Sequence, residues 1–444
     1  MGRCHPELDI LRTKVFVFSS FKIILHLVRH KLMITVSVPC PCSDKAECES
    51  IKNYQFTIHH TANEVDVTQW NHHVPERNVL MQHESLQLLE QLHKDKMQFK
   101  YVLVKKDDTI IGVIYFQVVM FHANRLINYF PDKASPAFIM KPLKAVTEKV
   151  LNAINLKLLV SGNVFMTGEN GFYFSHETDK AVHAKLVRQA AAQIQKQKKN
   201  IQAVLISDLY EPKTAFDSQF LQNNYHQITV ESDMSIQLNP EWQSFDDYMN
   251  ALSSKYRVRA KKVLSLCKDA GVTMKNLDAA EIEEHTPRIF ELYNHVMRGA
   301  DFKLSELNKE FFAEQKKLLP RQYFVFGYFK EGKMLGFISA FVFGKRMEVH
   351  YTGMEHELTK PIHLYQHMMY DMIQFGIENR VAQLHFGRTA PEIKSTIGAV
   401  PSPMYGYLKH KNALFNFLLV KPYTANLLPQ QYTFRNPFKT EKQN

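Results

Sequence analysis

Apolar positions along the chain change period repeatedly, and each change marks an element. Residues 70–93 keep helical spacing, with Leu86, Leu89 and Leu92 on one stripe. YVLVKKDDTIIGVIYFQVV (101–119) instead reads as two β-branched and aromatic runs around Lys105, Lys106, Asp107 and Asp108, a hairpin. KLLVSGNVFMTGENGFYFS (157–175) has the same form, with 168–171 as its turn. Residues 181–199 predict a helix whose last turn carries Lys196, Lys198 and Lys199, cations suited to the negative end of the helix dipole. IQAVLIS (201–207) follows as a buried strand.

The second half has a similar grammar. Phe245, Tyr248, Met249, Leu252, Tyr256, Val263 and Cys267 predict one face of a long helix. Residues 289–296 and 311–318 are further helices, and 323–344 form a hairpin turning at Glu331 and Gly332. A strand over 347–354, a helix over 364–377 and a strand over 382–386 complete the series. KDDTIIGVIYFQVV and KEGKMLGFISAFVF are loosely parallel, each continuing strand, helix, strand, so two related α/β halves are expected.

Residues 1–50 show no coherent period. The apolar run 15–28 is broken by Ser19, Ser20, Lys22 and His26, too short and interrupted for a spanning helix, and no small-residue cleavage site follows. Met33 is an alternative start. The expected organisation is a poorly packed or mis-assigned extension over 1–50, a first domain over 51–240, a second and catalytic domain over 241–424, and a tail over 425–444.

Composition narrows the class. The chain has 444 residues, 45% hydrophobic and 22% charged, which fits a soluble globular protein of two or three domains. A net charge of +11 favours an anionic partner: cofactor phosphate, phospholipid surface or RNA. Five cysteines are too few for a disulfide framework and point to the reducing cytoplasm. Cys40, Cys42 and Cys48 lack paired CxxC spacing, so no metal is expected there.

The run from Tyr323 to Met354, followed by a helix and a strand, resembles the acyltransferase fold of the GNAT superfamily. YMNALSSKYRVRAKKVLSLCKDAGVTM, with Leu252, Ser253, Lys255, Arg257, Lys261 and Lys262, is similar to a helix of the FemAB-like branch. This resemblance spans about 54–420. It implies two tandem GNAT-like domains, each a mixed sheet flanked by helices, and acyl transfer to an amine. The donor it implies is acyl-CoA as co-substrate, with no tightly bound cofactor, or aminoacyl-tRNA. The acceptor is a small-molecule or lipid amine, or an amino group on a cell-envelope precursor, handled at the inner face of the membrane. One departure is visible: relatives hold the CoA pyrophosphate on a glycine-rich loop, and the corresponding EHELTKPIHLYQ (355–366) has no glycine. Lys360, His363 and Leu364 at the helix start are the alternative anion site.

N-acyl transfer needs proton handling and oxyanion donors. The resemblance puts the acyl carbonyl beside the strand that carries His350 and Tyr351; alternation sends them to opposite faces, with His350 the preferred base. The bland alternative is a half-buried strand pair. His363, His367 and Asp371 share a helix face, more simply a solvated or cleft-edge face than a metal site. Lys255, Arg257, Arg259, Lys261 and Lys262 form the densest basic patch, either a phosphate-contacting surface or an ordinary solvated helix face. Finally, Gly387, Arg388 and Thr389, with Glu392, Lys394 and Ser395, lie beyond the carboxyl end of a strand, where open α/β sheets bind ligands. Arg388 offers a fork for an anionic oxygen, Lys394 a second cation, and Glu392 a proton acceptor. The competing class is a non-catalytic, GNAT-shaped module that docks RNA or an anionic membrane; salt-dependent binding without a response to thioesters separates it from the enzyme.

Overall fold

The computed structural model describes residues 53–76, 78–122, 155–175, 179–210, 214–298, 304–421, 424 and 432–439. The extension over 1–50, with Met33, Cys40, Cys42 and Cys48, lies outside them.

In the first half, β1 (Tyr54–His59), β2 (Gln98–Lys106) and β3 (Thr109–His122) form an antiparallel meander, with helices α1 (Val67–His73) and α2 (His83–His93) between β1 and β2. The β2–β3 hairpin turns where expected: Asp107 and Asp108 both take positive φ, 48° and 65°, the backbone that a two-residue primed turn demands. Next come β4 (Asn155–Ser161), β5 (Phe172–Phe174), α3 (Lys180–Gln197), β6 (Ala203–Leu209), α4 (Thr214–Leu221) and β7 (His226–Gln237). The expected 157–175 hairpin does not form. β4 pairs with β3 and β6, and β5 pairs with β3, so the segment between them is free to reach elsewhere.

The second half runs α5 (Phe245–Ala251), α6 (Ser254–Asp269), β8 (Thr273–Asn276), α7 (Ala279–Glu284), α8 (Thr286–Arg298), α9 (Phe311–Leu318), β9 (Tyr323–Lys330), β10 (Lys333–Phe343), β11 (Arg346–Met354), α10 (His356–Thr359), α11 (Leu364–Glu378), β12 (Gln383–His385), α12 (Pro391–Ser395) and β13 (Val400–His410). The long helix expected from Phe245 to Cys267 is broken at Leu252 and Ser253, which are extended. The C-terminal segment takes over the backbone bonds there: Ser253 N–H donates to Pro437 O at 2.9 Å and Lys439 N–H to Ala251 O at 3.1 Å. Residues 432–439 are therefore docked, where the sequence suggested a tail.

The two halves share one sheet, in the order β1-β2-β3-β4-β6-β13-β7-β12-β11-β10-β9-β8, with β5 beside β3. The last strands are exchanged: β13 of the second half pairs with β6 of the first, and β7 of the first pairs with β12 of the second. β7 and β13 pair with each other at the centre. One core spans both halves on one face of the sheet, with Trp70, Leu89, Tyr101 and Tyr115 in the same cluster as Tyr293, Phe311, Phe312 and Phe337. Each half also has its own core: α3 and α4 supply one, α5, α6 and α11 the other. A direct tie joins the halves where Asn308 N–H donates to His93 Nε2 at 3.0 Å.

Candidate active site at the seam between the halves

Two parallel strand pairs set the geometry. β4 and β6 pair from Leu158↔Ala203 to Ser161↔Ile206, and β11 and β12 from Arg346↔Gln383 to Glu348↔His385. Beyond those residues the partners separate. Three antiparallel steps make β6 and β12 run in opposite directions. The registers, with Leu209 and Thr229 both opposite Tyr405 and His385 opposite Ser235, bring their carboxyl ends toward the level of Asp233 from either side. Carboxyl ends of parallel strands are where such sheets present ligand-binding side chains. Two bulges lie at the same place. β6 bulges between Ile206 and Leu209, with Asp208 at φ 62°, and β7 bulges between Val230 and Asp233. A bulge re-aims the side chains next to it.

A buried polar cluster results. Asp233 Oδ2 accepts from His385 Nδ1 at 2.5 Å and from the Tyr210 hydroxyl at 3.0 Å. The side chains of Asp233 and His385 are 1% and 7% exposed. Burial pushes the Asp233 carboxyl up, but bonds from His385 and Tyr210 outweigh it and hold it below its ordinary range. An ionised Asp233 fixes the imidazole proton on Nδ1. His385 Nε2 is left buried with no partner among the described residues, as is Asp233 Oδ1. Unpaired buried polar atoms are costly, so a pair of them at strand ends marks a place for a bound group. Alongside, Arg346 holds Glu348 through Nε at 2.8 Å and through its terminal nitrogen at 2.7 Å. Burial raises the Glu348 carboxyl above its usual value, opposed by Arg346.

The residues expected from the sequence are distributed differently. Arg388 does reach this place, but its fork holds Asp208 at 2.5 Å across the seam. Lys394 is buried with its ammonium on the carbonyls of Phe386 at 2.6 Å and Gly387 at 3.1 Å, so it braces the strand end and offers nothing to an anion. Burial lowers it to about 7. Glu392 points outward and pairs with Arg435 at 3.1 Å; Thr389 is exposed. Ser395 is buried, donating to Glu392 O at 2.7 Å and accepting from Arg435 N–H at 3.1 Å. Glu392 and Ser395 are thus structural ties of the C-terminal segment.

His350 is a buried brace through one ring nitrogen, while its Nδ1 is buried with no partner among the described residues. Its Nε2 lies 2.8 Å from Phe165 O of the first half, and its ring packs among Phe311, Phe341 and Tyr351. Burial lowers its pKa to about 4, opposed by the Phe165 carbonyl. Tyr351 packs edge-on against Tyr293, and burial raises its hydroxyl far above the ordinary range. The segment after β4 thus fills the gap where β11 and β12 part: Phe165 O meets His350, and Met166 O lies 3.5 Å from Arg388.

The anion site at the start of α11 does not assemble around a buried pocket. Lys360 and His363 are exposed, His363 takes a left-handed backbone (φ 54°), and Leu364 belongs to the core. His367 and Asp371 approach at 3.4 Å, but Tyr328 donates to Asp371 at 2.7 Å and both side chains are mostly buried. Among the described residues no group of three could hold a metal. Lys255, Arg259, Lys261 and Lys262 are exposed on α6 and Arg257 is half-buried, with no ion pair to a described residue.

Asp233, His385, Tyr210, Arg346 and Glu348 were not singled out by the sequence. One signal was available: Asp is depleted from strands, and Asp233 stands inside ITVESDMSIQ. The cluster itself depends on the exchange of β7 and β13, which no local pattern encodes.

A family model described as FemAB-like, peptidoglycan biosynthesis/recognition, matches residues 163–426. No curated protein matches the chain. Solved structures similar in fold include FemX, with 12% identity, TM-score 0.45, and coverage of 80% of this chain and 96% of that one. A tandem GNAT protein from the clavulanic acid biosynthesis pathway has 12% identity and TM-score 0.48, covering 81% and 99%. L-PGS from Bacillus licheniformis has 10% identity and TM-score 0.44, covering 76% and 96%.

Proposed function

Since the chain belongs to the FemAB-like family of GNAT-fold acyltransferases, we propose that its seam transfers an acyl group to an amine of a cell-envelope precursor or lipid. The observation that carries this reading is the Asp233–His385 pair, with His385 Nε2 buried and unbonded at the converging strand ends. An amine acceptor must shed a proton as it attacks. His385 Nε2 takes that proton while Asp233 stabilises the imidazolium. The amine nitrogen bonds to the acyl carbon, the bond from that carbon to the donor's sulfur or oxygen breaks, and the proton passes from His385 to the leaving group. Tyr210 holds the carboxylate in place, and Glu348, paired with Arg346, is the register partner of His385 on the neighbouring strand. Both halves contribute, so the second half alone does not carry the chemistry.

Two activated donors suit this class, acyl-CoA and aminoacyl-tRNA. The second is favoured by two features: the glycine-free turn before α11, and the filling of the β11–β12 gap by Phe165 and Met166. No described helix is long and apolar enough to cross a membrane. The test offers the full chain each donor in turn with a panel of amine acceptors and reads amide formation by mass spectrometry. Amide from aminoacyl-tRNA alone supports the reading, and amide from acyl-CoA alone reassigns the donor. Salt-sensitive binding of RNA without amide from either donor makes the chain a binding module.

A further inference from the structure

The far end of β13 carries a surface that the seam does not use. After Lys411 the chain forms a short helix, α13 (Ala413–Phe415), and a π-turn over Asn416–Val420. This segment is held firmly. Asn412 Oδ1 accepts from Leu414 N–H at 3.0 Å and Phe415 N–H at 3.1 Å, while Asn416 receives His410 N–H at 2.8 Å and donates to Asn224 O at 2.8 Å. Yet the apolar side chains it positions face outward: Leu414, Phe415 and Phe417 are 42%, 37% and 50% exposed. Leu221, 47% exposed, ends α4 three residues before Asn224. Rigid presentation of aromatic and aliphatic groups to water is costly unless something covers them.

The rim is cationic. Lys421 lies over the Phe417 ring at 5.4 Å, Lys411 donates to Lys199 O, and Lys196, Lys198 and Lys199 are exposed at the end of α3. Neither 196–200 nor 411–440 contains an Asp or Glu. We infer that this face docks on an anionic lipid bilayer, with Leu414, Phe415 and Phe417 entering the headgroup boundary and the lysines engaging lipid phosphates. Lysine stems suit that boundary because the apolar part lies along the hydrocarbon and the ammonium stays in water. Two features favour lipid over RNA. The exposed set includes aliphatic Leu221 and Leu414, which have no π-face for a base to stack on. The cationic residues in 196–200 and 411–421 are all lysines, without the arginine forks that suit planar recognition. This docking does not depend on the acyl-transfer reading.

The test is co-sedimentation of the full chain with vesicles of phosphatidylcholine alone or of an equimolar mixture with phosphatidylglycerol. The wild type should partition onto the mixed vesicles only. The double variant Phe415→Ala/Phe417→Ala should lose at least about tenfold in partitioning, as should Lys411→Glu/Lys421→Glu at low salt. Both should melt like the wild type, since these side chains are exposed. Arg259→Glu/Lys262→Glu on α6 is the control and should bind as before. Equal binding of wild type and the 415/417 variant overturns the proposal, as does absence of vesicle binding. So does loss in the variant of self-association or of homopolymer RNA binding in place of vesicle binding.

Discussion

Asp233 and His385 are 152 residues apart, on the last strand of one half and the fifth of the other, and meet in a 2.5 Å hydrogen bond. They meet because β7 crosses to lie beside β12. His385 and Ser235 are register partners, which brings Asp233, two residues along β7, to the strand's carboxyl end. Asp233→Asn keeps the shape but offers an amide where an anion stood. The imidazole then loses its reason to keep the proton on Nδ1, and transfer should fall by about 10²–10⁴-fold. Rate measurement on a variant with unchanged circular dichroism checks this; an unaltered rate assigns the pair to structure alone.

The strand exchange makes a prediction about the fragments. Residues 241–444 alone leave β12 and β13 without β7, and residues 1–240 alone leave β6 and β7 without β13. Each fragment thus exposes unpaired central edges and should aggregate. Co-expressed, the two should co-purify as one folded complex. A stable monomeric half with native circular dichroism contradicts the topology.

His350 and Lys394 predict pH dependences of the same sign in different windows. His350 is neutral down to about pH 4 when folded, against an ordinary value of 6.5. Between those values the unfolded chain binds the extra proton, so stability is complete above 6.5 and lost as pH falls toward 4. His350→Gln should flatten that acid loss and leave the pH profile of transfer unchanged, as befits a brace.

Lys394 titrates at about 7 folded and near 10.5 free. The unfolded chain holds its proton across that window, so stability should rise from about pH 7 toward pH 10.5. Lys394→Met should remove that rise while destabilising at all pH values, because the carbonyls of Phe386 and Gly387 lose their donor. Urea unfolding at successive pH values reads both effects.

Gly398 tests the docked C-terminal segment. It has φ +97°, and an added Cβ would come within 2.4 Å of the Phe438 ring. Gly398→Ala should cost about 2–4 kcal/mol, from the backbone and the clash together. In a Phe438→Ala background the same change should cost only about 1–2 kcal/mol. An equal cost in both backgrounds places Phe438 elsewhere.

Much of the fold was legible because its signals are local. The two-residue turns at Asp107-Asp108 and Glu331-Gly332 occur where charge and glycine interrupt β-branched runs, and α9 spans the residues its spacing predicts. The break at Leu252 was not legible, since its cause, residues 437–439, is far along the chain. The site was half legible. Position beyond a strand's carboxyl end drew attention to Arg388, which pairs with Asp208 across the seam, while the charges nearby serve other ends: Lys394 on carbonyls, Glu392 on Arg435. His385, on the strand just before these residues, keeps an unpaired ring nitrogen at the seam, and its partner Asp233 belongs to the other half.

The most direct test is single-turnover amide formation by His385→Gln, which keeps a hydrogen-bonding side chain but removes the proton-accepting ring nitrogen. With melting behaviour like the wild type, the variant should transfer at least about 10²-fold more slowly. Transfer at the wild-type rate by a folded His385→Gln protein would contradict the account.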